Sequence, residues 1–165
     1  MMSPFLIFLL TKVASTKGFV LACALVFMGL VANNTMKTAI LFFATTIGVM
    51  VSTTLLKELF QTPRPLSGLI EVTGYAFPSG HASGVMYLGL ALYALSRTLP
   101  PLMRTSIIIC IVSFIIIIGY SRIMYGVHTA TQVLAGYGVG ALWGWLFLFL
   151  SQPPNTSVHH HKEEK

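Results

Sequence analysis

Long apolar runs alternate with short polar clusters along this chain. The runs at residues 38–56, 79–95, 102–120 and 129–150 each approach the roughly 20 apolar residues that a membrane-spanning helix needs. Residues 18–32 form a shorter run and predict a fifth span. Residues 5–15 are too short to cross and predict an interfacial or sixth helix. Asn33 and Asn34 read as a tight turn, and Pro100 and Pro101 as a break. Adjacent antiparallel spans place four polar clusters at one face of the membrane. These are Lys57 with Arg64 and Pro65, Pro78 to His81, Ser121 with Arg122, and His128 with Gln132.

Composition fixes the class. Of the 165 residues, 55% are hydrophobic and 8% charged, with a mean hydropathy of +0.81. A soluble domain carries about 25% charged residues, so the expectation is an all-α integral membrane bundle. The predicted organisation is one domain over residues 1–150 and a polar, Pro-containing disordered tail over 151–165. In that tail His159, His160 and His161 read as tail or purification-tag remnant rather than a metal tract. Residues 1–10 lack a basic start and a small-residue cleavage site, so no signal peptide is expected. Cys23 and Cys110 lie in apolar runs and read as small hydrophobes rather than a disulfide. Trp143 and Trp145 read as lipid-facing, and Tyr75, Tyr120 and Tyr125 as interfacial. Gly136, Gly140 and Gly144 predict close helix packing inside the bundle.

The net charge of +6 has no basic run or interleaved aromatics behind it, so no nucleic-acid partner is expected. Apart from the polar clusters, one face carries Lys12 and Lys17. The other carries Lys37, Arg97, Arg104, Lys162 and Lys165. The positive-inside rule turns the clusters outward, which is the periplasm for a bacterial inner-membrane protein.

The clusters gather three cations, Lys57, Arg64 and Arg122. Glu58 and Glu71 are the only acids before the tail. An anionic ligand is the expected counter-charge, and arginine forks suit phosphate oxygens. Ser79 and Gly80 at a helix start add free backbone N–H groups and a permissive backbone. Two histidines beside a phosphate predict phosphoryl transfer, one imidazole attacking phosphorus and the other protonating the leaving oxygen. The scheme requires no metal and no cofactor.

Lys57-x6-Arg64-Pro65, Pro78-Ser79-Gly80-His81 and Ser121-Arg122-x5-His128 resemble, in order, the three signature motifs of the type 2 phosphatidic acid phosphatase (PAP2) family. The resemblance implies a PAP2-type bundle of about five spanning helices that cleaves a lipid phosphate or diphosphate. It implies that His128 is the nucleophile and forms a phosphohistidine, and that His81 is the general acid. Lys57, Arg64, Ser79, Gly80 and Arg122 would then bind phosphate. Gln132 departs from the family pattern, which has aspartate four residues after the nucleophile. Its spacing is expected to place it on one helix face with His128, where its carbonyl accepts the imidazole proton without adding charge. His128-Thr129-x-x-Gln132-Val133 also resembles the third motif of dolichyl diphosphate phosphatases, an active branch with glutamine at this place. That likeness puts undecaprenyl diphosphate first among substrates. Phosphatidylglycerophosphate, phosphatidate and lipid A phosphates follow, and a non-catalytic phospholipid-binding or transport protein is the reading of another class. Membrane lipids and the substrate lipid are the expected partners; oligomeric state is left open. The apolar loop 66–77 is read equally as a lipid-chain receiver or a plain interfacial loop.

Overall fold

A computed structural model describes residues 15–65, 68–70 and 72–152. The expectations for residues 5–14 and for the tail beyond residue 152 lie outside them. The described chain is all-helical, and its five α-helices run up and down: α1 Thr16–Ala32, α2 Met36–Phe60, α3 Gly80–Leu95, α4 Pro101–Met124 and α5 Ala130–Leu150. A 3₁₀ turn, Ser96–Thr98, follows α3. Three helices, α2, α4 and α5, are long and apolar enough to cross a membrane. The 25 residues of α2 rise about 37 Å against a hydrocarbon core of about 30 Å, so its last turn emerges into the interface. That turn contains Lys57, which sits within the helix rather than after it.

Local chemistry sets the ends. Ser15 caps α1 by accepting from the Gly18 N–H at 3.3 Å. At the other end Asn33 donates its side-chain amide to the Gly29 carbonyl at 2.8 Å, and Thr35 donates its hydroxyl to the Leu30 carbonyl at 2.7 Å. Asn34 takes the left-handed conformation between them, with φ 56°. The expected turn is therefore closed by side chains that satisfy terminal carbonyls. Pro101 opens α4 at its first turn, where the missing N–H costs nothing.

The central element is α3, which packs against all four other helices. Its Tyr87 is fully buried and donates to the Phe42 carbonyl of α2 at 2.9 Å. The hydroxyls of Thr45 and Thr46 lie 3.0 and 2.8 Å from the same phenol oxygen. Phe42 and Phe147 close this layer edge to face, 5.7 Å between centroids. Leu25, Ile40, Phe43, Ile109, Ile116 and Leu142 cover the outside and are exposed. Such a contiguous apolar exterior is a lipid-facing one. Cys23 is buried, Cys110 is exposed, and both thiols are free.

The tightest contact is between α3 and α5, and glycine makes it. A Cβ on Gly136 would lie 2.5 Å from the Ser79 carbonyl oxygen. One on Gly140 would collide with the Ser83 carbonyl, and one on Gly144 would lie 2.6 Å from Leu90 Cβ. The three glycines thus pack within the bundle, as their spacing predicts. Trp143 corrects an expectation: it donates Nε1–H to Ser52 Oγ at 3.0 Å and packs on Gly48 of α2 rather than on lipid. Trp145 is exposed and stacks on Phe149, as a lipid-facing ring does.

The glycine contact is testable by heating. In detergent-purified protein Gly140→Val should lower stability by about 3 kcal/mol or more, because a rigid backbone carbonyl blocks the new side chain. Gly138 has open space around it, so Gly138→Ala should be neutral or stabilising by up to about 1 kcal/mol. Equal unfolding midpoints for the two variants would remove the contact from the account.

Candidate active site

The alternation of five helices brings the starts of α1, α3 and α5 to the same end as the finishes of α2 and α4. A cavity of about 550 Å³ opens there, and Lys57, Arg64, Gly80, His81, Arg122 and His128 line it. Ser79 and Gln132 stand behind this wall, both buried. The eight residues expected to do catalysis or bind phosphate are therefore within one locality, six on the cavity surface and two behind it.

Each side chain is held by identifiable contacts. Lys57, on the last turn of α2, donates to the Tyr75 carbonyl at 2.6 Å. Tyr75 thus belongs to the cavity wall as well as to the interface expected for it. Arg64 is spread over the loop: Nε donates to the Gly74 carbonyl at 3.0 Å, Nη2 to Thr73 at 3.3 Å and Nη1 to Val127 at 3.1 Å. The loop itself is fastened by Ala76 N–H to the Thr62 carbonyl at 2.8 Å and by Leu69 N–H to the Tyr125 carbonyl at 2.9 Å. Its residues Val72 to Tyr75 border the cavity.

Arg122 is almost fully buried. Its Nε donates to Ser121 Oγ at 3.3 Å, and its guanidinium lies over the Tyr125 ring at 5.7 Å. Its Nη2 is buried without a hydrogen-bond partner. A buried cation costs several kcal/mol unless its charge and donors are met. Glu58, the only acid among the described residues, is exposed and makes no salt bridge with it. The chemistry that satisfies Arg122 is an anion with several acceptor oxygens.

Ser79 precedes α3 but does not cap it with its side chain; its buried hydroxyl has no partner. Its backbone does structural work instead. The Ser79 N–H donates to the Gln132 carbonyl at 3.0 Å, and its own carbonyl accepts from the Ser83 hydroxyl at 3.0 Å. This locks the start of α3, and with it Gly80 and His81, onto the first turn of α5.

His128 is oriented differently from the expectation. It precedes α5 by two residues, so the two side chains do not share a helix face. They meet because Thr129 and Gln132 form a capping box. Gln132 Oε1 accepts from the Thr129 N–H at 3.0 Å and lies 3.2 Å from His128 Nδ1. A backbone N–H can only donate, so this atom is the amide oxygen, and Nδ1 must carry the hydrogen that reaches it. Nε2 is left with its lone pair, 3.3 Å from the donor Nη1 of Arg64. Two independent contacts thus select one tautomer, with the free lone pair on the atom nearest the cations. Burial, followed by the Arg64 charge, holds the His128 ring down to about 4, against the pull of Gln132. A neutral ring keeps the Nε2 lone pair available. Thr129 was not among the expected site residues, although the Thr-x-x-Gln spacing of a capping box was present to be read.

Among the described residues no group of three His, Cys, Asp or Glu side chains could hold a metal ion. The positive charge of the site is supplied by Lys57, Arg64 and Arg122.

The chain resembles known proteins in sequence and in fold. The profile of the PAP2 superfamily matches residues 37–155. Phosphatidylglycerophosphatase B of Bacillus subtilis (strain 168) is 35% identical over 92 residues, which are 53% of this chain and 45% of that protein. The chain thus matches a little under half the length of that relative. The crystal structure of a transmembrane PAP2 type phosphatidylglycerolphosphate phosphatase from Bacillus subtilis superposes with a TM-score of 0.79 at 22% identity. The superposition covers 91% of this chain and 78% of that one, and it shows a common fold. With the profile spanning all three motifs and the bundle shared, this chain belongs to the PAP2 superfamily.

Proposed function

We propose that the protein is a lipid phosphate phosphatase that works through a phosphohistidine on His128. The observation that carries this reading is one cavity holding three cations and two imidazoles, with a buried, unpartnered Arg122 donor. The phosphate oxygens lie among Lys57, Arg64, Arg122 and the free N–H groups at the start of α3. Nε2 of His128 attacks phosphorus; the P–N bond forms as the P–O bond to the lipid breaks. Burial and the neighbouring cations keep the His81 ring neutral in the free site; the phosphate offsets those cations as it enters, and its own proton passes through His81 to the departing oxygen. The phosphorylated ring is cationic, and Gln132 steadies its Nδ1–H by hydrogen bonding alone. Water then attacks phosphorus, neutral His81 takes its proton, and the P–N electron pair returns to Nε2. Ser79 supports this from behind by fixing α3 on α5.

The relative's name favours phosphatidylglycerophosphate as the substrate. Undecaprenyl diphosphate, first on the sequence alone, is the second reading, favoured by Gln132 in the third motif. The distribution of Lys37, Arg97 and Arg104 at the end opposite the cavity supports a site facing the exterior of a bacterial cytoplasmic membrane.

The direct test is phosphate release in detergent from phosphatidylglycerophosphate, undecaprenyl diphosphate, phosphatidate and lipid A. Release from one lipid, retained in EDTA and lowered at least roughly 10³-fold in His128→Ala, is the expected result. No release by folded protein would overturn the reading in favour of lipid binding without turnover.

Gln132 gives a second test. Gln132→Asp keeps an oxygen for both Thr129 N–H and His128 Nδ1–H and adds charge, so activity should hold or rise. Gln132→Leu loses both bonds and should cut turnover by roughly 10² or more. Loss of activity in Gln132→Asp would refute the orienting role.

The His128 ring supplies a third. Its neutral form reacts with diethyl pyrocarbonate, and its proton affinity is lowered from 6.5 to about 4. Lowering means that acid protonates it only well below the ordinary histidine range. Peptide mass spectrometry should therefore show labelling of His128 undiminished through pH 6.5 and falling toward about 4. A midpoint at the ordinary value would show the ring to be solvated and unperturbed.

A further inference from the structure

Below its charged end, the cavity wall changes character in an ordered way. Along α2 it runs from Lys57 through Thr53 to Val49, each step one helical turn, or about 6 Å. Along α3 it runs from His81 to Val85 and Leu88. Charge, hydroxyl and hydrocarbon thus follow one another down a single wall.

Thr53 is the unusual member. It is 8% exposed, and its Oγ1 is buried with no hydrogen-bond partner. Three other threonine hydroxyls of the same helix bond back to a carbonyl of the preceding turn. Thr45 reaches Leu41 at 2.9 Å, Thr46 reaches Phe42 at 2.8 Å, and Thr54, its immediate neighbour, reaches Met50 at 3.0 Å. That bond is the ordinary resort of a threonine at membrane depth. Thr53 forgoes it, and its methyl lies 3.8 Å from where a Gly80 Cβ would stand, beside the start of α3. The site mechanism makes no use of this hydroxyl.

We infer that Thr53 is a specificity-determining residue whose hydroxyl donates to an oxygen of the glycerol that bears the reacting phosphate, selecting glycerol-linked lipid phosphates over prenyl phosphates. The inference deepens the phosphatase reading and rests on it. The remaining oxygens of that glycerol, esters in phosphatidate or a hydroxyl and a phosphodiester oxygen in phosphatidylglycerophosphate, stand four and five bonds from phosphorus, a reach comparable to one helical turn of about 6 Å. That is the interval between Lys57 and Thr53. A prenyl phosphate has hydrocarbon at that depth and leaves the hydroxyl unpaired, which a buried polar group resists. The hydroxyl layer therefore favours a lipid with three chemical zones over one with two.

The test compares Thr53→Val, which replaces hydroxyl by methyl at nearly constant shape, with Thr53→Ser, which keeps the hydroxyl. Phosphatidate and farnesyl phosphate are offered separately in mixed micelles. The ratio of kcat/KM for phosphatidate to that for farnesyl phosphate should fall roughly 5- to 10-fold in Thr53→Val, chiefly through KM. Thr53→Ser should keep the parent ratio. An unchanged ratio in Thr53→Val, whether both activities fall together or neither moves, overturns the inference and leaves the phosphatase reading standing. If folded parent protein releases phosphate from neither of these lipids nor from any of the four offered above, the phosphatase reading fails. Equilibrium binding of the same two lipids to His128→Ala, with and without Thr53→Val, then decides the role of Thr53: a parent-like binding ratio overturns it.

Discussion

The contact between the backbones of α3 and α5 is the constraint on which the site depends. His81 stands on the first turn of α3, and His128 stands just before α5. Their separation is set by how closely those two helix starts approach. Gly136 and Gly140 let the carbonyls of Ser79 and Ser83 come against the α5 backbone, and the Ser79 N–H fastens the pair to the Gln132 carbonyl. In hydrocarbon, helices gain little from hiding apolar side chains from each other, so close van der Waals contact and hydrogen bonds decide where they lie. A glycine ladder ending in a backbone hydrogen bond uses both, and it does so at the membrane face where the chemistry is.

Around that contact the described residues hold charge that they do not neutralise among themselves. Lys57 and Arg64 are tethered by loop carbonyls, and Arg122 is buried against Ser121 and the Tyr125 ring. Carbonyls and a ring face meet a cation's donors without cancelling its charge. Under the proposed function, a phosphate entering the cavity would meet donors already held in place. Gln132 fits the same economy of charge. It is the third residue of a capping box, and the oxygen that caps the helix also holds Nδ1–H of His128. One side chain thus starts a helix and sets a tautomer, and glutamine performs both tasks here without adding charge.

The span pattern and turn chemistry were legible in the sequence for local reasons. Apolar length predicts helices, Asn33 and Asn34 satisfy carbonyls near themselves, and Pro101 fits a first helical turn whatever surrounds it. Trp143 was misread because an indole on an apolar helix looks the same whether it meets lipid or Gly48 of another helix. The His128–Gln132 contact was anticipated, but through a shared helix face. The capping box that produces it depends on the helix starting at Ala130, and boundaries are poorly fixed by periodicity.

The sequence by itself determined the class, the order of the helices and which polar residues gather at one end of the bundle. Each of these follows from composition, run length and motif spacing, which act within one or two turns of chain. Tertiary structure alone decided that Arg122 is buried with a donor unpaired, that Nε2 of His128 is the free nitrogen, and that Thr53 stands unpartnered on the cavity wall. Those facts concern distances between segments far apart in the chain. They are set by how glycines on α5 allow it to approach α3, and no local pattern encodes that distance.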